Sequence, residues 1–372
     1  MDFQHTETRQ MLGDTLNRFF SERYGSDVRR RSSLAPGHDR STWSQMVELG
    51  ALGALFDDKD GGYGGSGFDT MVVFEALGRN LVLEPLLGSL LCGRALALAG
   101  HGARHGVVAG DTLMAFAHHE PGSRDALAHV ETRARLSEGG WSLSGSKSVV
   151  LAAEACTHAL VSARVRGDNT EPAGVALFIV ALDAPGVTAR AYPLIDGGRA
   201  AELALHDVRL GADALVADPE QGFDIVEQAA GLGILALCAE GLGLMESLKA
   251  ATADYLATRV QFGAPIGANQ ALQHRMVDLL IDIEQARSAV INAAAALDQP
   301  RVLREQALSA AKYTLGTSGI RVAEEAIQMH GGIGMTQELP AAQAAKRLIM
   351  IDHQLGDADH HLERYVALGR EH

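Results

Sequence analysis

The tightest constraint on this chain is a helical pattern running from about Phe223 to Leu256, with Gly263 and Pro265 just beyond it. Glycine favours a left-handed cap and proline cannot continue the backbone ladder, so the helix must end there. A second helical pattern starts near Ala268, with Leu272, Met276, Leu279 and Ile283 at i, i+4, i+7 and i+11. Two long helices with so short a break form a hairpin. Its tip reads Arg259-Val260-Gln261-Phe262-Gly263-Ala264-Pro265-Ile266-Gly267. Arg259 falls in the last turn, where a cation suits the helix dipole and its fork of donors reaches outward to a phosphate. A purely structural capped turn explains the tip by itself equally well.

The rest of the chain divides by its periodicity. Apolar residues recur at helical spacing from Thr6 to Tyr24, Ser41 to Gly50, Phe68 to Asn80 and Leu86 to Leu98. Residues 1 to about 110 therefore read as a helical domain. The stretch Gly62-Tyr63-Gly64-Gly65-Ser66-Gly67 spells G-x-G-x-x-G, but a helix and an acidic loop precede it where a dinucleotide fingerprint needs a strand. It reads as a loop. From Leu113 to Val208 seven short runs, at 113–118, 128–136, 141–144, 159–164, 175–181, 187–191 and 201–208, are separated by Gly, Asp, Asn and Pro. They predict a β domain over 111–215, a barrel or sandwich. Helical patterns return over 216–372, with breaks near Gln299-Pro300 and Gly331 to Gly334. The expectation is an α+β multidomain chain: an N-terminal helical domain, a middle β domain and a C-terminal four-helix bundle.

Composition narrows the partners. A formal charge of −14 argues against nucleic acid or an anionic membrane, because phosphates reward Lys and Arg. Cys92, Cys156 and Cys238 are far apart and odd in number, which supports neither a disulfide framework nor a thiolate zinc site and suits a reducing cytoplasm. Met1 to His5 lack the basic start of an export signal, and the longest apolar or glycine run, Ala229 to Ala239, is too short to span a bilayer.

A second motif, Gln328-Met329-His330-Gly331-Gly332-Ile333-Gly334, follows another long helical pattern. Together with the Arg259 tip and the order of the two, it resembles the acyl-CoA dehydrogenase flavoprotein family, whose members show R-x-x-F-G-x-P-I and then Q-x-x-G-G-x-G. The resemblance covers essentially the whole chain. It implies FAD as cofactor, α,β-desaturation of an acyl-CoA thioester in fatty acid or lipid catabolism, and an electron-transfer flavoprotein as acceptor. It also implies a dimer or tetramer, of like chains or with a related dehydrogenase subunit. Arg259, Gln261 and Phe262 would hold the pyrophosphate and adenine portion of FAD in one direction across the dimer; Gln328, Gly331 and Gly332 would meet the same phosphates from the other subunit. His118-His119-Glu120-Pro121-Gly122-Ser123 resembles the family's T-E-P-x-x-G-S flavin loop, with His119 in place of Thr and Ser123 at the closing Ser. Gly145 to Leu151 resembles G-x-K-x-W-I-T, with Val149 where a Trp would shield the flavin and Leu151 where a Thr would bond it.

The reaction requires a carboxylate that takes the α-proton while hydride leaves Cβ. The family places this base as a Glu nine residues after an Arg; counted from Arg347, that position is Gly356, followed by Asp357. Its alternative lies 26 residues before the tip arginine, at Gly233. Neither is a carboxylate, so the chain resembles the small-subunit-like branch without the usual Glu. Asp357, one position off, and Glu240, on the same helix face as Gly233 but about 10 Å along, are the candidate bases. The run His353 to His361 also places His353, Asp357 and His360 or His361 at metal-ligand spacing on a helix, although solvated or interface residues explain it better. A non-catalytic partner subunit contributing half of an FAD site is the alternative function, and a hydrolase using the His/Asp run the third.

Overall fold

The computed structural model describes residues 6–336 and 338–370; Met1 to His5, read above for an export signal, lie outside them. By packing, the described chain forms two compact units that cut across the helical, β and helical order of the sequence.

One unit holds residues 6–25, 66–82 and 234–370 and is helical. It contains α1 (Glu7–Arg23), α4 (Gly67–Arg79), most of α7 (Gly222–Thr258), α8 (Gln270–Ala296), α9 (Arg301–His330), α10 (Pro340–Asp352) and α11 (Ala358–Leu368). Thr6 caps α1, and Ser66 with Asp69 forms a capping box on α4. Arg9 joins these two starts by donating to Asp69 Oδ1 at 2.7 Å and Ser66 Oγ at 2.9 Å. Side chains at Gly78 and Gly243 would run into the backbone of Glu240 and Glu75, so α4 and α7 touch main chain to main chain. The helix α7 is longer than the strict run Ala229 to Ala239 and is apolar enough by composition to cross a membrane, which corrects the sequence reading. Of its most apolar window 94% is buried in the protein, the signature of a core helix.

The other unit holds 26–65 and 83–233. Its strands are β1 (Met114–Ala117), β2 (Arg133–Ser137), β3 (Gly140–Leu151), β4 (His158–Arg164), β5 (Val175–Ala181), β6 (Val187–Pro193), β7 (Arg199–Gly211) and β8 (Leu215–Ala217). They form one mostly antiparallel sheet in the order β6-β7-β3-β2-β4-β5-β8, with β1 parallel to β4. One face encloses a core to which every strand from β1 to β7 contributes, with Leu143, Val161, Phe178 and Leu203 among its residues. On β4 and β5, Leu160 and Leu177 point the other way, into a second core with Cys92 and Leu96 of α5 (Leu86–Leu98) and Val226 at the start of α7. These strands are thus buried on both faces. Short helices α2 (Ser26–Ser32), α3 (Arg40–Glu48) and α6 (Arg104–Val108) complete the unit; α2, α6 and β8 were absent from the sequence reading. The strand read as 141–144 continues to Leu151, because Gly145 and a bulge between Lys147 and Val150 hide its alternation.

Candidate functional site

In the helical unit, α7 stops at Thr258 and Arg259 N donates to Tyr255 O at 2.8 Å. The helix therefore ends before the glycine and proline that signalled its end. Those two shape a miniature hairpin, Val260–Gln261 against Ala264–Pro265. Phe262 and Gly263, with φ of 52° and 82°, make its two-residue turn with both central residues left-handed. The ring of Phe262 is fully exposed. Arg259 is exposed too, and among the described residues its guanidinium has no partner; the Gln261 amide bonds only to Val260 O, next door.

At the end of α9, Gln328 is exposed with no side-chain partner among the described residues. Gly331 has φ 68° and ψ −144°, a conformation open in practice to glycine alone. A Cβ on Gly331 or Gly332 would meet nothing within 4 Å, so this turn offers bare backbone to whatever approaches. Between the two motifs, the His330 imidazole stacks on the Tyr255 ring at 4.7 Å and 26° and fixes itself through Nδ1 to Ala326 O at 2.8 Å. Both motifs therefore sit at one end of a single chain. Nothing in the sequence marked Tyr255 and His330 as the link.

The carboxylate candidates have structural work. Asp357 is the N-cap of α11, its Oδ1 accepting from His360 N at 2.9 Å. Glu240 is buried and held by Arg347 through two parallel bonds, Nε to Oε1 at 2.6 Å and Nη2 to Oε2 at 2.8 Å. The arginine used to locate the base thus clamps the second candidate. Gly356 has φ 98°, and a Cβ there would lie 2.6 Å from His360 Cδ2 and 2.8 Å from His361 Nε2. Its carbonyl accepts from the fully buried Lys312 at 2.5 Å, which also donates to Asp352 O at 2.8 Å. We expect Gly356→Ala to destabilise the chain by about 1–3 kcal/mol in thermal denaturation, because a left-handed backbone and two imidazoles both oppose a side chain.

His361 is buried, with Nε2 2.9 Å from Leu355 O and Nδ1 3.3 Å from Ser309 Oγ. A carbonyl only accepts, so Nε2 carries the proton and Nδ1 accepts from the hydroxyl. Both ring nitrogens are used and Asp357 caps a helix, so the His/Asp run does not converge on a metal; among the described residues no group of three ligands does.

In the sheet unit, His119 and Ser123 close their own turn. His119 Nδ1 lies 2.8 Å from Ser148 Oγ and Nε2 2.7 Å from Arg124 O, while Ser123 Oγ donates to Glu120 O at 2.9 Å. Neither is left to reach a ligand with a free polar atom. His118 lies between Ser162 Oγ at 2.8 Å and Leu127 O at 2.9 Å. Burial pushes both His118 and His361 down to about 3 from 6.5, so both fold as neutral rings. Their folded values lie below the unfolded one, so this stability is complete above pH 6.5 and is lost as pH falls toward 3. The expected result is a urea midpoint that already declines between about pH 6.5 and 5, above the carboxylate range, and declines less in His118→Gln.

Beside this turn, Lys147 and Glu120 form a fully buried pair at 2.6 Å. The sequence held a signal for it: Lys147 shares the inward parity of Leu143 on β3, and a charge on that face demands a partner.

Comparison with known proteins settles the family. Family models for the acyl-CoA dehydrogenase N-terminal, middle and C-terminal domains match residues 6–103, 115–208 and 220–356. The chain belongs to the acyl-CoA dehydrogenase family. It is 28% identical over 352 residues to acyl-CoA dehydrogenase FadE12 of Mycobacterium tuberculosis, covering 91% of this chain and 90% of that one. Among solved structures, the ChsE4-ChsE5 complex from Mycobacterium tuberculosis matches at 27% identity with a TM-score of 0.88, over 100% of this chain and 98% of that one. Butyryl-CoA dehydrogenase from Megasphaera elsdenii matches at 25% identity and 0.89, over 99% of each. The family consists of FAD-dependent oxidoreductases acting on the CH–CH group of acyl-CoA, and the expected α+β architecture and FAD cofactor are those of this acyl-CoA dehydrogenase. Its residues suit the cofactor: an exposed guanidinium, two exposed amides and an open glycine turn at one chain end are the donor set a diphosphate and its ribose require.

Proposed function

We propose that this acyl-CoA dehydrogenase holds the diphosphate and adenine portion of FAD with Arg259, Gln261, Phe262, Gln328 and the Gly331–Gly332 turn, and takes part in α,β-desaturation of an acyl-CoA. The observation that carries this reading is the pairing of the Arg259 and Gln328 donors, without partners among the described residues, with bare glycine backbone, brought to one end by the Tyr255–His330 stack. FAD, when bound, supplies the acceptor for the hydride that leaves Cβ. Arg259 neutralises phosphate charge, the two amides donate to phosphate or ribose oxygens, and Phe262 gives an apolar surface for a flat base. An electron-transfer flavoprotein as the next acceptor, and a cytoplasmic setting suited to three free cysteines, complete the proposal.

For the α-proton, Asp357 is the remaining candidate base, since Glu240 is bound to Arg347 on both oxygens. Asparagine caps helices as well as aspartate, so Asp357→Asn is expected to leave stability unchanged and, if Asp357 is the base, to lower the rate of flavin bleaching about 10²–10⁴-fold.

A second reading has its own observation. The Gly356 turn has no room for a side chain and both nearby carboxylates serve the fold, as expected of a subunit that contributes FAD contacts while a related chain supplies the base. Anaerobic addition of butyryl-, palmitoyl-, isobutyryl- and phenylpropionyl-CoA separates the readings. Bleaching of the purified chain's flavin supports a self-sufficient enzyme. A flavin-loaded chain that bleaches with none of these until a second subunit is added supports the partner role. Light scattering of the flavin-loaded protein should give a dimer or larger; a loaded monomer would remove the shared-site reading.

A further inference from the structure

We propose that the buried Lys147–Glu120 pair, with Arg164 behind it, is a positioning device that gives the His118–Arg124 turn the shape in which it meets the flavin ring. The inference rests on the FAD reading above and on the resemblance of this turn to the family's flavin loop. Because His119 and Ser123 spend their polar atoms inside the turn, ring contacts from this segment must come from its backbone and outline. What sets that outline lies beneath it.

All three donors of the Lys147 ammonium are used, on Glu120 Oε1 at 2.6 Å, Ser162 Oγ at 3.0 Å and His118 O at 3.2 Å. The Glu120 carboxylate in turn accepts from Glu131 N at 2.5 Å and Thr132 N at 3.0 Å, so one charge pair ties the two ends of segment 118–132 together. Arg164, fully buried, takes the far side: its guanidinium meets the carbonyls of Ala128 at 2.9 Å, Val130 at 3.1 Å, Asn169 at 3.0 Å, Glu171 at 2.8 Å and Ala173 at 2.9 Å. A strap completes the fastening. Ser148 N donates to His119 O at 2.9 Å while its hydroxyl meets the His119 ring. The next residue, Val149, bulges out of β3 with φ 51° and stands exposed. A β-branched residue in the left-handed region is strained, and such strain persists where neighbours over-determine the backbone at ligand contacts.

An apolar pair would hold a sheet core at least as well as a buried ion pair, whose desolvation offsets most of its attraction. Stability alone therefore does not account for Lys147 and Glu120. Directional bonds to His118 O, to the Glu131 and Thr132 amides and to the Ser162 hydroxyl do, because each fixes an angle as well as a distance.

The test uses the FAD-loaded protein and the double variant Glu120→Gln/Lys147→Met, which removes both charges and leaves no unpaired ion. Its thermal midpoint is expected to stay near wild type while FAD, titrated into deflavinated protein, binds about tenfold weaker, the loss of one charge-assisted anchor. The bound flavin should show a shifted visible band and less quenched fluorescence. Ser148→Ala, which removes the hydroxyl half of the strap without touching the charges, should move the spectrum in the same direction by less. Arg259→Ala supplies the contrast: weaker binding with an unchanged spectrum for the flavin that remains. Wild-type affinity and spectrum in both the double variant and Ser148→Ala would overturn the inference and leave the FAD reading standing. A wild-type chain that takes up no FAD would overturn both.

Discussion

Arg259→Ala should leave a folded chain that has lost most of its FAD, with affinity lower by about 10- to 100-fold. The exposed guanidinium has no partner among the described residues, so its removal breaks no contact within the fold. Its replacement forfeits a charge-assisted bond to phosphate, on the order of 1.5–3 kcal/mol. The measurement is flavin absorbance per chain after gel filtration, beside a melt of the apoprotein. Unchanged flavin content would remove Arg259 from the site, and a large fall in the apoprotein melt would assign it to the fold. Gln328→Ala should act in the same direction by less, because an amide is a neutral donor.

Glu240→Ala is expected to destabilise the helical unit by about 3–5 kcal/mol, read as a shift in the urea midpoint, because it removes the buried carboxylate from a partly buried arginine. The two parallel bonds at 2.6 and 2.8 Å between α7 and α10 are the reason for so large a figure. Glu240→Leu/Arg347→Met, which removes both charges, should recover most of the loss. Flavin content per folded chain should stay at the wild-type level in both variants if Glu240 belongs to the fold. A stable Glu240→Gln that has lost flavin bleaching with acyl-CoA would instead return Glu240 to the chemistry.

Much of this molecule is legible because its helices are long and strongly periodic. The starts and stops of α1, α4 and α5 fall within a residue or two of the pattern, and α4 announces itself through Ser66 and Asp69. The strands are legible as short runs but not as a sheet, since pairing partners such as β3 and β7 are set by contacts remote in sequence. Short helices such as α2 and α6 escape because neither is long enough to show a period.

The same division holds at the site. The sequence by itself determined that an arginine tip and a glycine turn exist and that no glutamate stands at either expected base position. Each is a matter of residue type at a given spacing. Only the tertiary structure decided that Tyr255 and His330 bring the tip and the turn to one chain end, that Arg347 takes Glu240 out of contention, that Asp357 caps a helix, and that Lys147 pairs with Glu120. The physical reason is directional: a hydrogen bond or ring stack depends on distance and angle between groups far apart in the chain, and spacing along one strand or helix carries neither.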